Sequence, residues 1–586
     1  MSIAGVDVDP SAEPTDDVQF AELRADLGDQ GWRYWDLLRA VQAGNVDEYL
    51  SEVLADLHTP VPNDEVRFVF SVLSDLLRAR GHIVHRDSRL FAAWPSWRGG
   101  AGRLAANRAM NAAREFPRLN RSELAAVRHL FAQPLDGQQL GAVMREGAFT
   151  LVETSEVHPS GHSYGEAFRL ALRYWSMPYR GRSGRMKRFV LTASHPELGS
   201  HPVVAGLLEL GDEAPFCAWR DRLLALDPRG LETWIGGDHS RALHVAERLR
   251  SLRRAVLPLS DGTDLAGWSA RQVMSAEATL TARARGRSLV GTHEVDLLKD
   301  RKRLIYALRL AAGESALVEY FGSARQTADH LRRLKAGVRA VHDLLVPRLH
   351  MEVTVCGALP PFSQALGGKL LVAFFGHPYV VRATITPMGE LLSWAFDVDA
   401  LTAEIVSAGL TAVTTKGLYS KHSPLYHRSQ MPGRDGPLRL LHLANTDGNT
   451  TSLLSSTSVS AARALLTARA ELAPVISPVY GSGGAKRHRV LETAARQVRL
   501  PASVVNAGIQ RPVYGASLVT NASDICWAGA DPEWAINHEA SPEEYATMAT
   551  ELWRSVWLER AVQRVRDYVF IPGLPEILEP REGDSV

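Results

Sequence analysis

Apolar residues recur at three- and four-residue spacing between Phe20 and about Gly147, in WRYWDLLRAVQAG, VDEYLSEVLADLH, VRFVFSVLSDLLRARG and SELAAVRHLFAQ, each interrupted by Gly or Pro. That period predicts a helical N-terminal region, residues 20–148. After Phe149 the pattern shortens toward two: FTLVETSEV, KRFVLTASH and HPVVAGLLEL read as strands, with a helix GEAFRLALRYW between the first two. Helical spacing returns over 231–350 with Arg and Lys at regular intervals. Because this stretch separates two strands of one sheet, it is predicted as a projecting basic insertion. MEVTVCG and GLTAVTTKGLY resume the strands, and SAARALLTARAEL, GSGGAKRHRVLETAARQ and PEEYATMATELWRSVWLERAVQRVRDY read as helices. The expected class is α/β (α+β), a mixed sheet spanning 149–440 with 441–586 as its extension.

Composition narrows the class. No run approaches eighteen uncharged apolar residues, so no transmembrane helix is expected. The acidic start MSIAGVDVDPSAEPTDD has little to bury and lacks the basic and apolar regions of a signal peptide. Residues 1–19 are therefore read as a disordered leader and the protein as cytoplasmic. Cys217, Cys356 and Cys526 are far apart, which suggests neither a disulfide framework nor a cysteine-rich zinc site. The formal net charge of +1 gives no global argument for nucleic acid, and only local basic patches carry one.

The most informative stretch runs from Met351 to Phe375. Strand residues stop at Pro360-Pro361, and Gly367-Gly368 opens an apolar helix running to Phe375. The first amides of a helix have no internal partner and lie at the positive end of its dipole, so a glycine-opened helix suits an anion. Packing of the helix against its strand is the alternative use of the same glycines. A second stretch, residues 175–188, joins Trp175 and Tyr179 to Arg180, Arg182, Arg185, Lys187 and Arg188 around two glycines. Cations neutralise phosphates and aromatic faces accept unpaired bases, which makes these residues the nucleic-acid candidate, DNA or RNA. WPSWRGGAGR (Trp94 to Arg103) has a similar composition, and Trp219-Arg220-Asp221-Arg222 is read as an internal ion pair that fixes a loop. His158 and His162 are separated by Pro159 and Gly161, which argues against a helical metal pair, and no metal is assigned.

VCGALPPFSQALGGKL resembles the most characteristic block of the DruA family of Druantia anti-phage systems, relatives of which are attached to transposases. RYWSMPYRGRSGRMKRFV, APFCAWRDRLL, VTTKGLYSKHSPLYHR, and VYGSGGAKRHRVLETA through GIQRPVYGASLVTN follow in the family's order, from about Leu151 to Arg560. The resemblance implies antiviral defence and partner subunits including a helicase, while the basic blocks supply the expectation that nucleic acid is recognised or acted on. The strand–helix order is also similar to the GNAT acyltransferase core. That likeness implies acyl-CoA as cofactor, held by Gln364, Gly367, Gly368 and Lys369, where the lysine replaces a small residue. It also implies a carboxylate base, for which Glu209 and Glu352 are candidates, and a tyrosine acid, for which Tyr426 or Tyr419 stands ready. A transposon-associated accessory role is a third expectation, although no spaced acidic triad of a nuclease core is present.

Overall fold

The computed structural model describes residues 119–172, 186–211, 217–269, 292–322, 328–366, 368–382, 410–417, 428–446, 456–467, 484–498 and 512–578, with short pieces and isolated positions elsewhere, Tyr426 among them. The leader, most of the N-terminal region, Trp94 to Arg103 and residues 173–185 lie outside them. In the N-terminal region an antiparallel pair, Ile83–Val84 with Leu90–Phe91, interrupts the stretch read as helical.

Seven strands form one sheet: β1 (Ala148–Glu153), β2 (Met186–Ser194), β3 (Val203–Gly211), β4 (His350–Ala358), β5 (Ala412–Lys416), β6 (Leu441–Asn445) and β7 (Pro512–Ser517). Their spatial order is β1-β2-β3-β4-β5-β7-β6. Every neighbouring pair is antiparallel except β4 and β5, which run parallel. Two strands beyond residue 440 thus complete the sheet, so the C-terminal segment belongs to it structurally.

β3 is buried along its whole length, which is why VVAGLLEL reads as a continuous apolar run. β6 is exposed at four of five positions, as an edge strand can be. Bulges in β3 and β4 around Glu209, Leu210 and Val353 to Val355 shift the register between them.

The helices that matter here are α1 (Arg121–Leu130), α2 (Gly137–Glu146), α3 (Tyr164–Ala171), α4 (Ala218–Leu223), α5 (Pro228–Ile235), α6 (His239–Arg254), α7 (Thr292–Gly322), α8 (Ala328–Leu349), α9 (Lys369–Ala373), α10 (Pro378–Arg382), α11 (Ser456–Thr467), α12 (Gly484–Gln497), α13 (Ala522–Ala528) and α14 (Pro542–Val565). On one face of the sheet Leu208, Leu210, Met351 and Val353 pack with Phe362, Leu370, Leu371, Phe374 and Phe375 and with Tyr545 and Trp553 of α14. Each of these large apolar side chains contributes about 1.5–3 kcal/mol by leaving water. α14 starts sharply because Ser541 and Glu544 form a reciprocal capping box and Pro542 occupies the first turn. On the opposite face Phe131 of the α1 region, Phe168 of α3, Val190 and Leu207 form a second core.

The insertion from α4 to α8 has a core of its own, built from Leu249, Leu252, Leu304, Val341 and Leu345. Trp527 of α13 is buried within it and donates its indole N–H to the carbonyls of Leu224 and Ala225 at 3.1 and 3.2 Å. The C-terminal region thereby anchors the insertion. α7 and α8 cross at Gly313 and Gly337, where a Cβ on either residue would sit 2.7 Å from the other's Cα. Only glycine permits that approach. No helix among the described residues is long and apolar enough to cross a membrane.

Candidate functional site

Cross-strand register creates a row of charge on the α3 side of the sheet. Arg188 on β2 stands opposite Glu209 on β3, and Glu209 stands opposite Val355 beside the bulge at Thr354. Arg188 Nε donates to Glu209 Oε2 at 2.8 Å, and Thr354 Oγ1 donates to Oε1 at 2.6 Å. Glu209 is 1% exposed, whereas the Arg188 side chain is 38% exposed and lies over the Phe168 ring. Glu352, between two residues that face the α14 core, points to this same side. Lys416 Nζ donates to its Oε2 at 3.0 Å, with 3% exposure for the carboxylate and 31% for the lysine. In both pairs the anion is buried and the cation reaches toward solvent.

Further along this face, fully buried Arg220 pairs with Asp221 Oδ1 at 2.6 Å, and its Nη2 lies 2.8 Å from His342 Nε2. The WRDR segment thus holds the internal ion pair read from its sequence, and it joins α4 to α8. His350 is fully enclosed, and burial, then Arg220 and Lys416, push its pKa well below the ordinary value. Its Nε2 lies 2.8 Å from Thr414 Oγ1.

The second locality lies where β4 and β5 part. Their pairing covers only His350–Val353 against Ala412–Thr415, and beyond it Cys356 to Ala358 pair with β3 alone. Tyr426 packs into the opening, edge-to-face with Tyr514, and is 4% exposed. Burial pushes the Cys356 thiol up to about 12, opposed by a hydrogen bond with Tyr426. An added Cβ on Gly368 would meet Cys356 O at 3.4 Å and Tyr426 Cε1 at 3.8 Å, ordinary contacts.

The helix expected from Gly368 to Phe375 is shorter than the pattern suggested. α9 has five residues, and Phe374 to Gly376 form a turn before α10. One and a half turns do not build the dipole of a long helix, so the amide cradle expected there is not developed. The cause is tertiary: the Leu370 to Phe375 side chains are all core, and the chain bends to bury them on both sides of the turn. Gly367 lies outside the described residues. Gln364 ends a short 3₁₀ turn, and its carbonyl accepts from Arg564 Nη1 at 3.3 Å. Lys369 turns toward α14 and sets its Nζ 3.4 Å from the centroid of the Trp557 ring.

The structure thus joins Arg188, Glu209 and Glu352 on one face, and Tyr426 with Gly368 at the parting strands. Lys187 belongs to β2 opposite Leu210, while Trp175, Tyr179, Arg180, Arg182 and Arg185 lie outside the described residues. Thr354, Lys416 and Trp557 escaped the sequence reading. Reading KRFVLTASH and HPVVAGLLEL as a hairpin would have placed Arg188 near Glu209, but the lysine and tryptophan partners come from distant segments. In the insertion, Arg250 and Arg253 pair with Glu314, Arg309 and Arg339 with Asp343, and Arg332 and Arg333 with Asp329. The pairs with Glu314 link α6 to α7 and Arg309–Asp343 links α7 to α8, while the others lie within α8. No group of three or more His, Cys, Asp or Glu that could hold a metal occurs among the described residues. No protein-family model, curated protein or solved structure matches the chain.

Proposed function

We propose that this chain is a DruA-type anti-phage protein whose GNAT-like core recognises nucleic acid, and that its sheet is a binding scaffold. One observation carries the choice of binding over acyl transfer. Both carboxylates that could serve as a general base are buried in ion pairs, Glu209 with Arg188 and Glu352 with Lys416. A base needs a lone pair within reach of the proton it removes, and both oxygens of Glu209 are engaged by Arg188 and Thr354 while Glu352 Oε2 is engaged by Lys416. The cations, in contrast, project outward. The basic segment 173–185 runs directly into β2 two residues ahead of Arg188, so its charges and this row lie on neighbouring parts of the chain.

Fluorescence anisotropy with labelled single- and double-stranded DNA and RNA tests the reading. Changing Arg182, Arg185 and Lys187 together to Ala should abolish binding while leaving the fold intact. Arg188 is left in place because it neutralises Glu209. Unaltered binding by the folded triple variant would remove this segment from the account.

A second reading is an acyl-CoA-dependent transferase. The parting of the parallel pair β4 and β5 beyond Val353 supports it, because it opens the sheet beside Gly368 and Tyr426. Fold alone does not establish activity. Calorimetry with CoA and acetyl-CoA separates the two readings, and heat of binding that Tyr426→Phe leaves intact but acetyl transfer to an amine that it abolishes would favour the transferase.

A further inference from the structure

We infer that Lys369 and Arg560, which flank the Trp557 ring, and Arg564, further along α14, form a seat for a phosphoryl anion on the face of the sheet opposite the charged row. Trp557, Arg560 and Arg564 are spaced i, i+3, i+7 on α14, so they fall along one side of that helix. Lys369 Nζ stands 3.4 Å from the Trp557 centroid, and the Arg560 guanidinium 6.0 Å from it. Arg564 reaches across to the Gln364 carbonyl, which places its guanidinium beside the loop that precedes Lys369.

Like charges this close repel, and the proximity is visible in Lys369. Burial first, then Arg564, Arg560 and Arg428, lower its pKa to about 8. Two features of the fold explain part of the arrangement. Arginines near the end of α14 suit its negative pole, and the ring attracts the ammonium. Neither relieves the mutual repulsion of a half-buried lysine set in the field of several arginines. An anion does: it relieves the repulsion, and guanidinium forks match phosphoryl oxygens bidentately while Lys369 supplies a point charge. Arg428, held at φ 65, contributes to the same field from the segment after β5. The seat differs from the amide cradle anticipated at Gly367-Gly368, because its donors are side chains and two of them come from the C-terminal helix. It stands independently of the nucleic-acid reading, since it shares no residue with segment 175–188.

The phosphoryl group could belong to a nucleotide or to a nucleic-acid backbone, and the test separates these sources. Inorganic pyrophosphate, ADP and a twenty-nucleotide oligothymidylate are each titrated into the full chain at pH 8 by calorimetry, in two buffers of different ionisation enthalpy. Binding should be accompanied by uptake of a fraction of a proton, because an anion restores the charge of Lys369. Arg560→Gln with Arg564→Gln, both exposed positions, should weaken pyrophosphate by about tenfold or more while the melting temperature stays within experimental error. Lys369→Met should keep residual binding and lose the proton uptake. Tighter binding of ADP than of pyrophosphate assigns the seat to a nucleotide, and tighter binding of the oligonucleotide assigns it to a backbone. The inference fails if pyrophosphate gives no heat at millimolar concentration, or if the double variant binds as tightly as the parent. Failure of the Arg182, Arg185 and Lys187 variant to alter oligonucleotide binding would count against the proposed function and leave this seat untouched.

Discussion

Removing Arg188 should destabilise the sheet more than removing its partner's charge as well. In Arg188→Ala the Glu209 carboxylate, 1% exposed, loses its guanidinium partner while the Thr354 hydroxyl still donates to it. Leaving a fully buried charge without its partner costs about 3–5 kcal/mol. Here the guanidinium is 38% exposed, so water already screens the pair and the expected loss falls to about 2–3 kcal/mol. Loss of the contact with Phe168 adds roughly 0.5–1 kcal/mol. Glu209→Gln leaves an arginine that can turn into solvent, and an amide that still accepts from Thr354, so it should cost about 1 kcal/mol. The double variant Arg188→Ala with Glu209→Gln should therefore be more stable than Arg188→Ala alone. Thermal scans read the sign directly: at about 2–4 °C per kcal/mol for a unit of this size, the single arginine variant should melt roughly 5–15 °C below the parent. Recovery of part of that shift in the double variant is the required result. A double variant that melts lower than Arg188→Ala would refute the claim that Glu209 depends on this cation.

Gly368→Ala should melt within about 1 °C of the parent, since its Cβ meets only ordinary contacts and the residue's φ of −96 suits any side chain. By contrast Gly313→Ala or Gly337→Ala should cost about 1–3 kcal/mol by forcing α7 and α8 apart, seen as a lower melting temperature. His377 supplies a pH test. Burial, partly offset by its hydrogen bond to the Pro542 carbonyl, lowers its pKa from 6.5 to about 4. A depressed pKa means the unfolded chain binds the proton more readily, so stability present above pH 6.5 is lost as pH falls toward 4, by roughly 3 kcal/mol for this group. Melting curves between pH 7 and 4.5 should show the loss, and His377→Asn should flatten it; an identical slope in the variant would exclude His377 as a source.

What the chain reveals before folding depends on how local each signal is. β1 to β5 follow from alternation or from apolar runs such as VVAGLLEL, because burial on one or both faces leaves its period in the residues. β6 and β7 were missed. LHLAN is a five-residue edge strand with only Leu443 partly buried, and PVYGAS is short and contains a glycine. The glycine-opened helix was overestimated because six apolar residues in a row suit a buried turn as well as a helix. Site residues divide in the same way. Arg188 and Glu209 meet through one hairpin, whereas Glu352 and Lys416 meet through a parallel pair set by residues far apart in sequence. Lys369 and Trp557 are separated by most of the sheet's second half, and only α14's docking brings them together.

Nucleic-acid binding as a function of salt tests the central claim most directly. Anisotropy of a labelled oligonucleotide is measured from low to moderate salt for the parent and for the Arg182, Arg185 and Lys187 triple variant. Each phosphate contact contributes a slope of about −0.9 on duplex DNA and −0.7 on a single strand in log K against log salt. The account predicts measurable affinity that weakens steeply with salt, and a slope shallower by about 2–3 in the variant if residual binding remains. Affinity that is absent at low salt, or a slope that the three substitutions leave unchanged, would contradict it.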